Sequence, residues 1–176
     1  MPAPPRTTNE QVIAAAGAIL EEHGIEGLTM QAVAARVGVR APSLYKRFAD
    51  RAALVAAVAE ASVDALAARL VEAAPDPVLL AEAYRAFGHA HPEAFHLIFT
   101  GAAPEEALRR SAQPVIRTLA EIVGDERALD AARLFTAWAT GFLQMELSGA
   151  FRLGGDVSGA FDYGVRTLVA GLRESV

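Results

Sequence analysis

Between its proline and glycine breaks the chain repeats apolar residues every three or four positions and nowhere alternates them, which restricts it to helices packed on helices. Val12, Ile13, Ala16, Ile19 and Leu20 form one such stripe, and Met30, Val33, Ala34 and Val37 form the next. Of the 176 residues 53% are apolar but only 7% aromatic, and alanine recurs throughout. That mixture suits helices approaching closely through small side chains better than it suits a sheet. A chain of this length buries a substantial core as one or two small domains. It has no cysteine, which excludes disulfides, cysteine-based zinc sites and thiol nucleophiles. The segment MPAPPRTTNE lacks the apolar core of a signal peptide, and the most apolar stretch, 52–71, is interrupted by Glu60, Asp64 and Arg69. The expectation is a cytoplasmic protein without a membrane partner.

The breaks divide the chain into about nine helices. Residues 1–6, with three prolines, read as a disordered arm. Thr7 and Thr8 are each followed three residues later by Glu10 or Gln11, overlapping capping boxes that open the first helix; Gly24 closes it. A second helix runs from Leu28-Thr29 to Val37, Gly38 makes a tight turn, and a third starts near Pro42 and ends around Phe48. Asp50 caps a long helix reaching about Ala73. Beyond Pro75-Asp76-Pro77 another runs to about His91, where Pro92 stops it ahead of the short aromatic segment FHLIF. Pro104 opens a helix that Pro114 is placed to kink or split, Gly124-Asp125 leads into a helix over 126–151, and Gly154-Gly155-Asp156 precedes a last helix to about Arg173.

The run 28–48, LTMQAVAARVGVRAPSLYKRF, joins a helix, a glycine turn and a second helix in the spacing of a helix-turn-helix. Val33, Val37, Val39, Leu44 and Phe48 supply a small core that fixes the angle between the two helices. This leaves Arg40, Ala41, Pro42, Ser43, Tyr45, Lys46 and Arg47 on or near the outward face, where the second helix can enter a major groove. Arg40 suits bidentate pairing with guanine and Ser43 suits base edges or phosphate, while Tyr45, Lys46 and Arg47 match phosphate oxygens. Thr29 stands where a helix N-terminus can hold a phosphate. The charge distribution agrees. The chain carries −5 overall, yet residues 36–51 hold five basic side chains against Asp50 alone, a local +4 that leaves −9 for the remainder. Lys46, the only lysine, lies in that window.

From Ile13 to Leu54 the motifs G-x-x-x-L-T-M, V-A-x-x-x-G-V, S-L-Y-x-x-F and A-L follow in order, carried by Gly24, Leu28, Thr29, Val33, Ala34, Gly38, Val39, Ser43, Leu44, Tyr45, Phe48 and Leu54. Over these forty or so residues the chain resembles the N-terminal domain of the TetR family of transcriptional regulators. The resemblance implies DNA-contact roles for Thr29, Arg40, Ser43, Tyr45 and Lys46. Arg51 stands where family members commonly have lysine, and it keeps a cation available for phosphate at the start of the fourth helix. The C-terminal half, 80–176, resembles the WHG-type C-terminal domain of some TetR regulators, through A-Y-R-x-F and H-P-x-x-F-x-L-I-F at 83–99 and through G-F-x-x-x-E to D-V-x-x-x-F at 141–161. Many members have histidine before that Gly-Phe pair; here it is Thr140, so no ligand role is carried over from it.

The expected architecture is all-α, with a three-helix helix-turn-helix domain over 1–50 and a helical ligand-binding and dimerisation domain over 51–176. Aromatic residues gather in the latter. Tyr84, Phe87, Phe95, Phe99, Trp138 and Phe142, with Met145, are candidates to wall an apolar pocket, and His91, Thr140 and Gln144 are polar handles. The last two helices are rich in Gly, Ala and Ser beside Leu143, Leu147, Phe161, Val165, Leu168 and Leu172, a composition suited to a four-helix bundle between two copies. The expected partners are a double-stranded operator, a small apolar effector and a second copy of the chain; repression and effector release are what the resemblance implies. No metal, cofactor or catalytic residue is expected. His89, His91 and His96 suggest a metal site, but residues 89 and 91 fall about 200° apart on a helix of 3.6 residues per turn, and Pro92 then breaks it. No nucleophile elbow or phosphate-binding loop is present, and Glu105-Glu106 and Asp125-Glu126 sit at helix starts, where they complement the dipole. The competing readings are a helical adaptor that binds protein alone and a histidine-dependent metal enzyme.

Overall fold

A computed structural model describes residues 7–175; the expected N-terminal arm, 1–6, lies outside them. Among the described residues there are nine helices and no strand: α1 (Asn9–Gly27), α2 (Met30–Arg36), α3 (Ala41–Tyr45), α4 (Arg51–Ala73), α5 (Pro77–Ala90), α6 (Pro92–Ile98), α7 (Glu105–Val123), α8 (Asp125–Leu147) and α9 (Val157–Glu174). None is long and apolar enough to cross a membrane. The helices gather into two compact units. One comprises the chain up to Val63 with His91–Ala107, and the other Asp64–Ala90 with the chain from Leu108 onward.

In the first unit the capping box forms at the second of the two candidate threonines. The Gln11 amide donates to Thr8 Oγ1 at 3.2 Å, and the Thr8 amide donates to Gln11 Oε1 at 2.9 Å. The stripe predicted for α1 is buried at Val12, Ala16, Ile19 and Leu20, and Gly24, at φ 65°, breaks the helix near its end. Leu28, Val33, Leu44, Leu54 and Val58 complete this core. Pro92, expected only to stop α5, also opens α6, because a missing amide is harmless at a first helical position. Glu21 of α1 caps α6: its carboxylate accepts from the amides of Glu93 (3.2 Å) and Ala94 (2.9 Å).

In the second unit α5 packs on α8 and α9, which also pack on each other, around buried Leu80, Phe87, Leu119, Leu143 and Phe161. Asp76 caps α5 through the Val78 amide at 2.8 Å. Two boundaries differ from the sequence expectation. Pro114, placed to kink or split this helix, does not split it: α7 runs from Glu105 to Val123 with Pro114 inside it. Helix α8 ends at Leu147, not at 151, because Gly149 adopts φ 65° and the Ala150 amide turns back to the Met145 carbonyl at 2.8 Å. Asp156 occupies the N-cap of α9 as expected, though its side chain makes no capping bond.

Gly38 and Gly17 separate two effects of glycine. Gly38 has φ 70° with no neighbour near its absent Cβ, whereas Gly17 lies within α1 with equally open surroundings. Gly38→Ala is expected to lower unfolding stability by about 1–2 kcal/mol, and Gly17→Ala to raise it by up to about 1 kcal/mol. Urea unfolding of the two variants checks the opposite signs.

Candidate nucleic-acid interface

The geometry of residues 28–51 starts from two caps. Thr29 Oγ1 accepts the Ala32 amide at 3.1 Å and opens α2. At its other end the Gly38 amide donates to the Ala35 carbonyl (3.2 Å) and the Val39 amide to the Ala34 carbonyl (2.9 Å), the paired bonds of a left-handed helix exit. Arg40 is then extended, Pro42 falls in the first turn of α3, and α3 itself is one regular turn ending at Tyr45. Its hydrogen bonding continues as a turn to the expected limit, with the Phe48 amide donating to the Leu44 carbonyl at 2.9 Å.

Leu44 and Phe48 are buried against the first unit's core with Val33, as the pattern required, while Val37 and Val39 are only half-buried. With the inner side anchored, Arg40, Pro42, Ser43, Tyr45, Lys46 and Arg47 are exposed and Ala41 and Thr29 half-buried. Tyr45 is 52% exposed, an aromatic side chain with no place in the core.

The cations of this window divide by partner. Arg36 grips Glu22 with Nη1 and Nη2 (2.8 and 2.5 Å), which holds the Glu22 carboxyl below its ordinary range. Arg47 donates to Asn9 Oδ1 at 3.2 Å. Arg51 donates from Nε to the Leu28 carbonyl at 2.6 Å and from Nη2 to the Ile25 carbonyl. The side chains of Arg40 and Lys46 have no hydrogen bond or ion pair to the described residues. None of these long-range pairs is signalled by local sequence: 14 residues separate Glu22 from Arg36, and 23 separate Leu28 from Arg51.

The pocket candidates fall in both units. In the second, Trp138, Phe142 and Phe161 form a cluster with centroids 5.2–5.7 Å apart, extended by Phe151 at 4.8 Å from Phe142. Tyr84 is buried and shares a 2.7 Å hydrogen bond with Thr140 Oγ1; burial pushes its phenol up to about 12. Phe87 is buried beneath the Arg69 guanidinium, whereas Met145 is exposed on α8. In the first unit Phe95 is buried, Phe99 meets it edge-on at 5.2 Å, and His91 stands at the N-cap of α6. His89 belongs to the second unit, where its Nε2 lies 3.0 Å from Glu146. Among the described residues no group of three or more His, Cys, Asp or Glu is placed to hold a metal.

On the outer side of α8 and α9 runs a groove of about 590 Å³ with Leu134, Trp138, Gly164, Leu168 and Tyr163 along it. Leu134 and Tyr163 are exposed there, while Leu143, Phe161, Val165 and Leu172, expected on a contact face, are buried within the unit itself. Trp138 lies so close on α9 that a Cβ at Gly164 would come within 2.2 Å of its ring.

A capped helix, a left-handed turn and a short helix anchored from beneath and flanked by the exposed cations Arg40 and Lys46 define a helix-turn-helix DNA-binding protein. Comparison with known proteins agrees. Residues 12–58 match the family of bacterial regulatory proteins, tetR family, and residues 77–168 the tetracyclin repressor-like C-terminal domain. An uncharacterized HTH-type transcriptional regulator of Mycobacterium tuberculosis is 31% identical over 159 residues, covering 83% of this chain and 73% of that protein. A TetR variant from Acinetobacter baumannii AYE in complex with minocycline superposes with a TM-score of 0.73 at 26% identity, covering 96% of this chain and 98% of that one. BioQ with its natural double-stranded DNA operator gives 0.68 at 25%, covering 96% and 99%. The chain belongs to the TetR family of DNA-binding transcriptional regulators.

One ion pair, absent from the sequence reading, ties α5 to α8 and α9. Arg85 grips Glu146 with two nitrogens, donates to Ser158 Oγ at 3.1 Å and lies 4.8 Å above the Phe161 ring. The Arg85 hydrogen bonds, against the opposing effect of burial, hold the Glu146 carboxyl below its ordinary value of 4.5. A lowered folded-state value contributes stability above pH 4.5 that is lost as the pH falls below it. Glu146→Gln is therefore expected to be less stable than wild type at neutral pH, with the gap closing in acid. Urea unfolding of both proteins from pH 7 to pH 3 measures it, and a gap independent of pH contradicts the assignment.

Proposed function

We propose that this regulator acts as a repressor. Two copies associate through α8 and α9, lay their α3 helices in major grooves of a pseudo-palindromic operator, and leave it when a small apolar effector binds. The observation that carries the reading is the two-sided character of α3: Leu44 and Phe48 anchor it, and its other face offers Arg40, Ser43, Tyr45 and Lys46 to solvent. Residues 1–50 serve DNA binding, and 51–176 serve effector binding and pairing.

Within that division, Arg40 reads a guanine edge, Ser43 with Ala41 and Pro42 lies along the bases, and Tyr45, Lys46, Arg47 and Thr29 meet phosphate. Thr29 keeps its hydroxyl proton for such a contact, since its oxygen serves α2 as acceptor. The effector packs on Trp138 and Phe142, with the Tyr84–Thr140 pair as its polar handle and Phe87 and Met145 at its margin. His91, Phe95 and Phe99 of the first unit are further candidates for effector contact. Effector binding favours a conformation in which the two α3 helices no longer match successive grooves, so affinity for the operator falls by linkage. The minocycline complex of one relative and the operator complex of another support both halves of this cycle. Pairing rests on the exposed apolar side chains Leu134 and Tyr163 beside the α8–α9 groove. It also answers a geometric need, because a single short helix spans few base pairs and two reach half-sites a helical turn or more apart.

Lys46→Ala is expected to weaken binding to a duplex selected by the wild-type protein from a random pool. It should also reduce the slope of log affinity against log salt by about 1 for each phosphate no longer neutralised. Tyr45→Ala weakens binding with dimerisation intact. Leu134→Arg, by contrast, gives a monomer in sedimentation equilibrium and loses operator binding through pairing. Full DNA affinity in Lys46→Ala and Tyr45→Ala removes α3 from the interface, and a dimeric Leu134→Arg moves the pairing surface elsewhere.

A further inference from the structure

We propose that Arg51 positions the DNA-binding helices instead of contacting DNA, by clamping the first turn of α4 to the corner between α1 and α2. The inference rests on reading α3 as the helix that enters the groove. A cation at this position was expected at phosphate, yet its side chain turns to the protein. Nε donates to the Leu28 carbonyl at 2.6 Å and Nη2 donates to the Ile25 carbonyl. Both carbonyls belong to the short turn between the Gly24 break and the start of α2, where Ile25 also accepts the Leu28 amide at 3.3 Å.

What the clamp joins gives it a role in binding. Leu28 directly precedes Thr29, the cap of α2, and Arg51 directly follows Asp50, whose Oδ1 accepts the Ala53 amide at 2.8 Å and caps α4. Between these two points lie α2, the Gly38 turn, α3 and its anchor Phe48. Arg51 thus closes a ring of structure that contains the whole helix-turn-helix, and it limits how far α3 can swing relative to α2. Two carbonyls three residues apart need two donors held in a fixed fork, which arginine has and lysine lacks. This accounts for arginine where a phosphate contact alone would accept either.

The clamp is tested first on the wild-type protein by 15N nuclear magnetic resonance. The Arg51 Nε–H is expected to exchange slowly with solvent in free protein and to keep its chemical shift when the selected duplex is added. Arg51→Lys keeps the charge but removes the fork. It is expected to bind the duplex roughly tenfold more weakly, with an unchanged salt slope and faster amide exchange at Thr29 and Met30. Lys46→Ala is the control, and in a dimer it lowers the slope by about 2. Three results overturn the proposal: fast exchange of the wild-type Nε–H, wild-type affinity in Arg51→Lys, or an Arg51→Gln variant that lowers the salt slope as Lys46→Ala does. If Lys46→Ala leaves the slope unchanged, the reading of α3 fails, while the Nε–H measurement still decides the clamp.

Discussion

The exposed face of α3 depends on the left-handed turn at Gly38. Without a residue at positive φ the chain after α2 would run on as helix and carry Ser43–Lys46 past the first unit's surface, not back across it. The turn alone is insufficient, because a single helical turn has too few hydrogen bonds to be stable in water. Leu44 and Phe48 supply what is missing: burying the two side chains is worth roughly 1.5–3 kcal/mol each. Their burial fixes which way the remaining residues of α3 point. The face that α3 turns to solvent is thus set by the residues buried beneath it.

Charge is arranged in the same indirect way. Five basic side chains give the window 36–51 its local excess, but Arg36, Arg47 and Arg51 are held by Glu22, Asn9 and two backbone carbonyls. Arg36 and Arg51 order the scaffold, Arg47 is exposed beside Asn9, and the side chains of Arg40 and Lys46 stand clear. Helix α1 is the common support: Glu21 holds the start of α6, and its neighbour Glu22 holds α2 through Arg36. The chain passes between the two units at Val63–Asp64, Ala90–His91 and Ala107–Leu108.

Most of this fold is legible in the sequence because its signals are local. Thr8, by its spacing to Gln11, and Asp50 and Asp76, by their places before helix starts, cap helices as read, and Gly24 and Gly38 take the backbone angles that mark an end. The TetR-like motifs at 24–54 likewise locate the helix-turn-helix, since most motif residues are a cap, a turn or a buried anchor, while Ser43 and Tyr45 are exposed. Errors arise where two local rules compete. Pro114 is tolerated inside α7, and Gly149, read as one more small residue of a contact stripe, instead ends α8. What no local rule reveals is pairing across the fold. Arg85 with Glu146, Tyr84 with Thr140 and Arg51 with Leu28 meet only after the helices pack. The stripe of Leu143, Phe161, Val165 and Leu172 could face inward or outward by period alone; here the unit's own core takes it.

The central claim is that α3 reads DNA from the major groove, in two copies. Methylation interference on a selected duplex tests it most directly, because methylation at guanine N7 alters only the major groove and methylation at adenine N3 only the minor one. Two α3 helices in successive major grooves predict interference at guanine N7 in two clusters whose centres are about 10 base pairs, or a multiple of that, apart. Interference confined to adenine N3, or a single cluster, contradicts it.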